Sequence, residues 1–253
     1  MGDSIIYKYL DAKGGLRMLK GSNLQFTNAT KFNDPFDCHP ALFDYSNAPT
    51  NEHNWPPAEW ISEMEENNMV NLRNETWITC FSKVYDSLLM WAYYNNHKGI
   101  CLGLNKEAVL RSCHHGYFGL YYPFYREVEY KEIIHKPNFF RNRPFWESIL
   151  TTKAKDWEHE QEIRLITKKP AWVNSRRDIP EDLKEDEIID WTEIRHYPHI
   201  DSDCFESLYL GINIREKVKK EIIKAAKKLN PDIQIYKMDI DPNAFRLIAE
   251  QIR

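Results

Sequence analysis

The chain has 253 residues, 42% of them hydrophobic and 13% aromatic, with a formal net charge of −4. That is enough apolar material for a sizeable core and too acidic a balance for a global field that gathers nucleic acid, although a local basic patch stays open. No apolar run approaches the ~20 residues that span a bilayer. The start MGDSIIYKYL lacks the basic-then-apolar order of a signal peptide, and Ile6 stands where a myristoylation pattern wants Ser or Thr. Five cysteines, an odd number without a CxxC pair, suit reduced thiols. The expectation is a cytoplasmic protein with no membrane partner, forming one domain over residues 1–253.

Ser4 to Tyr9 reads as a first strand, Asp11 to Lys20 as a short helix and Asn23 to Thr27 as a second strand. Asn28 to Pro57 is rich in Asn, Asp and Pro and reads as a long loop, docked by Phe32, Phe36, Phe43, Tyr45 and Trp55. Ala58 to Leu72 has the helical period. Thr76 to Ser82 is rich in strand formers, Ser87 to Tyr94 reads as a helical turn, and Gly99 to Leu104 as a buried strand. A helix over Lys106 to Cys113 precedes an alternating strand over Arg126 to Tyr130. Phe145 to Asp156 reads as a helix, Glu160 to Thr167 as a strand, and Asn174 to Asp190 as a charged loop. His196 and His199 flank a Tyr-Pro step and read as surface loop. A strand over Glu206 to Leu210, an amphipathic helix over Arg215 to Leu229 and a strand over Gln234 to Met238 follow. The tail, Phe245 to Ile252, fits a strand better than a helix. Strands and helices mix without a βαβ rhythm, and neither GxGxxG nor GxxxxGK[ST] occurs. The expected class is therefore α+β, with largely antiparallel sheets and peripheral helices.

The richest chemistry lies in Glu160-Gln161-Glu162-Ile163-Arg164. On a strand, Glu160, Glu162 and Arg164 share one face. Such a face is either solvated at a sheet edge or lines a polar cleft. In a cleft, one carboxylate steadies positive charge on a sugar carbon while a second orients or deprotonates an acceptor, the logic of glycoside cleavage. Elsewhere, the lysines of the Arg215 to Leu229 helix read as a solvated face, with a nucleic-acid footprint as the alternative. Cys38-His39 and Cys113-His114-His115 match no standard metal spacing, and no metal is expected.

Several segments together resemble a bacterial family of uncharacterised domains associated with the ADP-ribosyltransferase superfamily. They are Ile6-Tyr7-Lys8-Tyr9, Phe32-Asn33-Asp34-Pro35-Phe36-Asp37, Cys80-Phe81-Ser82, Met90-Trp91-Ala92-Tyr93-Tyr94, and His97 to Gly103. Lys153 with Trp157, the Glu160 to Ile166 stretch and Leu208-Tyr209-Leu210-Gly211 complete the set. The resemblance implies an ADP-ribosyltransferase-like fold and NAD as cofactor. It assigns Glu162 as the late-strand catalytic glutamate, with Glu160 completing an E-x-E pair. Ser82 takes the middle-strand position. Lys8 or Tyr9 takes the first-strand position, where the superfamily typically carries His or Arg. Cofactor contacts are expected from Lys8, Tyr9, Asn33, Ser82, Trp91, Tyr94 and Arg164. The implied activity is transfer of ADP-ribose from NAD to a macromolecule, nucleic acid favoured over protein, by a toxin of a toxin–antitoxin or anti-phage system restrained by an antitoxin protein. A non-enzymatic nucleotide- or partner-binding module and a metal-independent nuclease are the alternatives.

Overall fold

In a computed structural model of the chain, the described residues are 4–39, 42, 44, 63, 72–115, 121–138, 145–168 and 195–252. The elements follow from local rules. Strand β1 (Ile5–Leu10) ends at Asp11, whose side chain caps helix α1 (Ala12–Gly21) by accepting from the Gly14 amide at 2.5 Å. A two-residue strand β2 (Thr27–Asn28) precedes β3 (Thr76–Ser82). Ser87 caps helix α2 (Leu88–Asn95), and Asn96, left-handed at φ 50°, ends it. Then come β4 (Ile100–Asn105), α3 (Lys106–His115), β5 (Tyr121–Glu127) and β6 (Glu129–Lys131). Helix α4 (Phe145–Thr151) leads into β7 (Thr152–Ala154), a 3-10 helix over Lys155–Glu160 and β8 (Glu162–Lys168). Strand β9 (Phe205–Leu210), helix α5 (Glu216–Leu229), β10 (Gln234–Ile240) and β11 (Leu247–Gln251) close the chain.

Nine strands form one sheet in the order β11-β10-β9-β4-β1-β3-β8-β5, with β2 paired to β3. Among the described residues, only β9 and β10 pair in parallel within it. This is the expected α+β class with a largely antiparallel sheet. One face is covered by α1, α3 and α5, which pack on Ile6, Leu102, Leu104, Phe81, Leu165 and Leu208. The other face has two separate covers. Met90 and Trp91 of α2 pack on Tyr9, Cys101 and Tyr209. Ala29, Cys38 and Leu42, with Ile149 and Leu150 of α4, pack on Ile78 and Ile166. At the seam between the covers, β1 and β3 pair through a single register, Tyr7 with Ser82, whereas β3 and β8 pair over seven. The sheet is thus forked beside Ser82.

Several expectations change. Phe145 to Asp156 is not one helix: after Thr151 the chain extends to pair β7 in parallel with β6, then tightens into the 3-10 turn. The strand expected over Arg126 to Tyr130 breaks at Val128, which is buried and whose amide bonds to Glu162 O. Asn23 to Phe26 forms only isolated bridges, to His199 and His196; His199 is exposed, as expected of a surface loop, whereas His196 is partly buried. His196 stacks edge-on to Trp77 at 5.0 Å. The helix expected over Ala58 to Leu72 and the loop over Asn174 to Asp190 lie almost wholly outside the described residues, as do Phe43, Tyr45 and Trp55.

Gly99 sits where α2 turns back into β4. A Cβ there would collide with the Leu10 carbonyl oxygen and press on Asn95. A backbone atom cannot swing aside, so Gly99→Ala is expected to lower unfolding free energy by roughly 1–3 kcal/mol, measured by urea denaturation.

Candidate active site

Ile163 and Leu165 of β8 join the large core, so period two sends Glu162 and Arg164 to the other face. That face is also interior: Glu162 is 4% exposed and Arg164 0%. Charges buried this deeply must be paired. The Arg164 guanidinium meets the demand with all five N–H groups. Nε donates to Glu162 Oε1 at 2.9 Å, and one terminal nitrogen reaches Glu162 Oε2 at 3.1 Å and Asp37 Oδ2 at 2.7 Å. The other donates to Asp37 Oδ1 and to the Leu150 carbonyl, both at 2.8 Å. The Phe32 ring lies over the guanidinium at 5.3 Å.

Asp37 arrives from far away in sequence through an Asx turn. Asp34 Oδ1 accepts from the Phe36 amide at 2.9 Å and the Asp34 carbonyl accepts from the Asp37 amide at 3.1 Å. The Phe-Asn-Asp-Pro-Phe-Asp segment therefore does two things: its turn delivers Asp37 to Arg164, and Phe32 and Asn33 face a pocket.

Glu160 is not on the strand. Gln161, left-handed at φ 42°, separates the 3-10 helix from β8. Such a conformation costs a non-glycine residue on the order of 1 kcal/mol, and it swings Glu160 into the same cluster. There Lys153 Nζ bonds Glu160 Oε2 at 2.5 Å and Glu162 Oε2 at 3.2 Å, with Asp37 Oδ2 at 3.9 Å. Tyr94 donates to Glu160 Oε1 at 2.5 Å. Each Glu160 oxygen takes one hydrogen bond and keeps acceptor capacity. The amide of Glu162 donates to Tyr130 Oη at 2.8 Å.

The electrostatics follow from burial against pairing. Burial opposes the Glu162 charge, but Arg164 and Lys153 outweigh it and pull its pKa down to about 2. Burial also opposes the Lys153 charge, and Glu162, Glu160 and Asp37 outweigh it, so its pKa is raised. Burial raises the Tyr94 pKa and Glu160 adds to the rise, so its hydroxyl remains a donor. The Cys80 thiol is likewise pushed up, by burial and then by Glu162, which argues against a thiolate nucleophile. Lys8 fills the fork: Nζ donates to Thr79 Oγ1 at 2.9 Å and to the Cys80 carbonyl at 2.8 Å, and burial lowers its pKa.

These groups open on a pocket of about 200 Å³ at the seam in the sheet's covers. Lys8, Asn33, Ser82, Tyr94, Glu160 and Glu162 all line it, as does Tyr9, whose hydroxyl is tied to the Val84 carbonyl at 3.0 Å. Two expected cofactor contacts do not line it. Trp91 is fully buried, donates to the Tyr85 carbonyl at 2.7 Å and packs edge-on to Tyr9. Its neighbour Met90 faces the pocket instead. Arg164 is consumed by its ion pairs behind the pocket wall. Conversely, Asp37 and Lys153 belong to the cluster and were not among the sequence candidates. Lys153 stood in a quoted segment, yet its place nine residues before Glu162 gave no sign that they meet.

Residues 90–165 match the family model described as Protein of unknown function (DUF2971). That stretch carries Met90, Tyr94, Lys153, Glu160, Glu162 and Arg164, whereas Lys8, Asp37 and Ser82 precede it. No curated protein and no solved structure gives a significant match.

A depressed carboxylate pKa makes stability depend on acid. Glu162 ionises near 4.3 in an unfolded chain and at about 2 when folded. Its contribution is therefore complete above the unfolded value and is lost as pH falls through the folded one. Urea midpoints are expected to fall steeply below about pH 4.3, and Glu162→Gln should flatten that limb while lowering stability at pH 7.

Proposed function

We propose that this protein transfers ADP-ribose from NAD to a nucleic acid. The observation that carries the reading is the lateral register Tyr7–Ser82–Glu162 across β1, β3 and β8, with Lys8 beside it at the fork. The resemblance distributes its cofactor and catalytic positions over a first, a middle and a late strand. Here those strands are neighbours, and the positions line one pocket. The cavity, about 200 Å³, is smaller than a whole-ligand site, so in this reading only the nicotinamide end enters it and the rest of the dinucleotide lies at its mouth. Its walls offer the rings of Tyr7, Tyr9, Phe32 and Tyr94 for stacking. Lys8 supplies a cation for a phosphate.

The dinucleotide supplies a ribosyl carbon whose bond to nicotinamide breaks, the electron pair leaving on nicotinamide. Glu162, anionic across the physiological range, stabilises positive charge on that carbon and is too weakly basic to serve as a proton acceptor. Glu160, with free acceptor capacity, takes the proton that the acceptor group loses as its lone pair forms the new bond. Tyr94 and Lys153 hold Glu160 in place. Arg164, anchored by Asp37, fixes the Glu162 carboxylate and acts through it. Trp91 supports the pocket wall from behind. In this reading the protein works as a cytoplasmic toxin restrained by an antitoxin protein. The five free thiols suit that compartment.

Incubation of pure protein with labelled NAD and, separately, RNA, DNA and protein tests the reading. Label is expected on a nucleic acid, and Glu162→Gln should reduce it at least ~100-fold. Trp91→Phe should retain transfer. Free ADP-ribose alone would make the activity hydrolytic, polymer shortening without NAD would point to a nuclease, and NAD binding without turnover to a binding module.

A further inference from the structure

The chain is acidic overall, yet its charge is segregated. Helices α1 and α5 pack side by side on the sheet face opposite the pocket, burying Met18, Leu19, Ile222, Ala225 and Ala226. Together they carry nine Lys or Arg against two Glu. Lys13, Arg17 and Lys20 recur at helical spacing and form one exposed stripe. Lys217, Lys220, Lys224 and Lys228 form another. Among the described residues, none of these seven has an ion-pair partner; Glu216 pairs with Lys219 instead. Packing α1 against α5 brings like charges together, which costs stability unless something else neutralises them.

We propose that the outer face of α1 and α5 binds the phosphate backbone of a nucleic acid. The α5 stripe runs about 16 Å, and with the α1 stripe it offers seven exposed cations to successive phosphates. None of the large hydrophobics exposed on the described surface lies on α1 or α5. An anionic membrane would be gripped by a half-exposed apolar face, which this one lacks. The same absence of exposed aromatics predicts backbone contact without base readout. The face lies behind the pocket, so it recruits the polymer and does not form the reaction chamber. This partner class agrees with the acceptor proposed above but is independent of the transfer reaction.

The test is fluorescence anisotropy with a labelled 20-nucleotide single-stranded RNA, without NAD, from 50 to 300 mM NaCl. Micromolar binding is expected, with log K falling against log salt at a slope of about −3 to −5, the range for five to seven single-strand phosphate contacts. The triple variant Arg17→Gln, Lys220→Gln, Lys224→Gln should reduce that slope by about 2 and leave the thermal midpoint nearly unchanged. Glu162→Gln should leave the slope as it is, which separates this proposal from the catalytic one. A triple variant with an unaltered slope would overturn the proposal. So would absent RNA binding at 50 mM salt, or capture by phosphatidylserine vesicles in place of RNA.

Discussion

The Arg164 guanidinium is the group on which the site depends. It is fully buried, all five of its N–H donors are used, and one of its two carboxylate partners, Asp37, lies 127 residues away in the chain. Removing it would leave Asp37 and Glu162 with only Lys153 as counter-charge, already shared with Glu160, a loss on the order of 3–5 kcal/mol. Such a cluster is no efficient way to stabilise a core, since apolar side chains of equal volume do as well or better. It does hold a carboxylate ionised and fixed in direction at a pocket wall. That is what electrostatic stabilisation of a developing positive charge requires.

The cluster also explains why the pocket lies where it does. Three carboxylates, Asp37, Glu160 and Glu162, meet two cations, Lys153 and Arg164, leaving net negative charge beneath the seam. Lys8 sits across the fork, bonded to the Thr79 hydroxyl and the Cys80 carbonyl of β3. The basic outer face of α1 and α5 is separated from this chemistry by the whole thickness of the sheet.

Much of the scaffold was legible because its cues are local. Thr76 to Ser82 has the strand composition, Arg215 to Leu229 has the helical period, and strand and helix stand there within one residue. Local pattern failed where tertiary pairing decides conformation. Thr152 to Ala154 has no local reason to be extended; it is a strand because β6 accepts it. Glu160 shared the expected alternation, but a left-handed Gln161 interrupts the strand, and only Lys153 and Tyr94 make that geometry worthwhile. Charge count on β8 fitted a solvated edge as well as a cleft, and the choice depended on Asp37, whose approach no spacing rule encodes. Trp91 and Arg164 carried the residue types of a cofactor pocket; the seam between the covers lies to one side of both.

The central claim is that Asp37 and Arg164 act as one buried unit that sets Glu162. A double-mutant cycle of Asp37→Asn and Arg164→Met, read by urea unfolding at pH 7, measures it directly. Coupling of about 1.5–3 kcal/mol is predicted. Coupling below about 0.5 kcal/mol, the level of independent sites, would contradict the account.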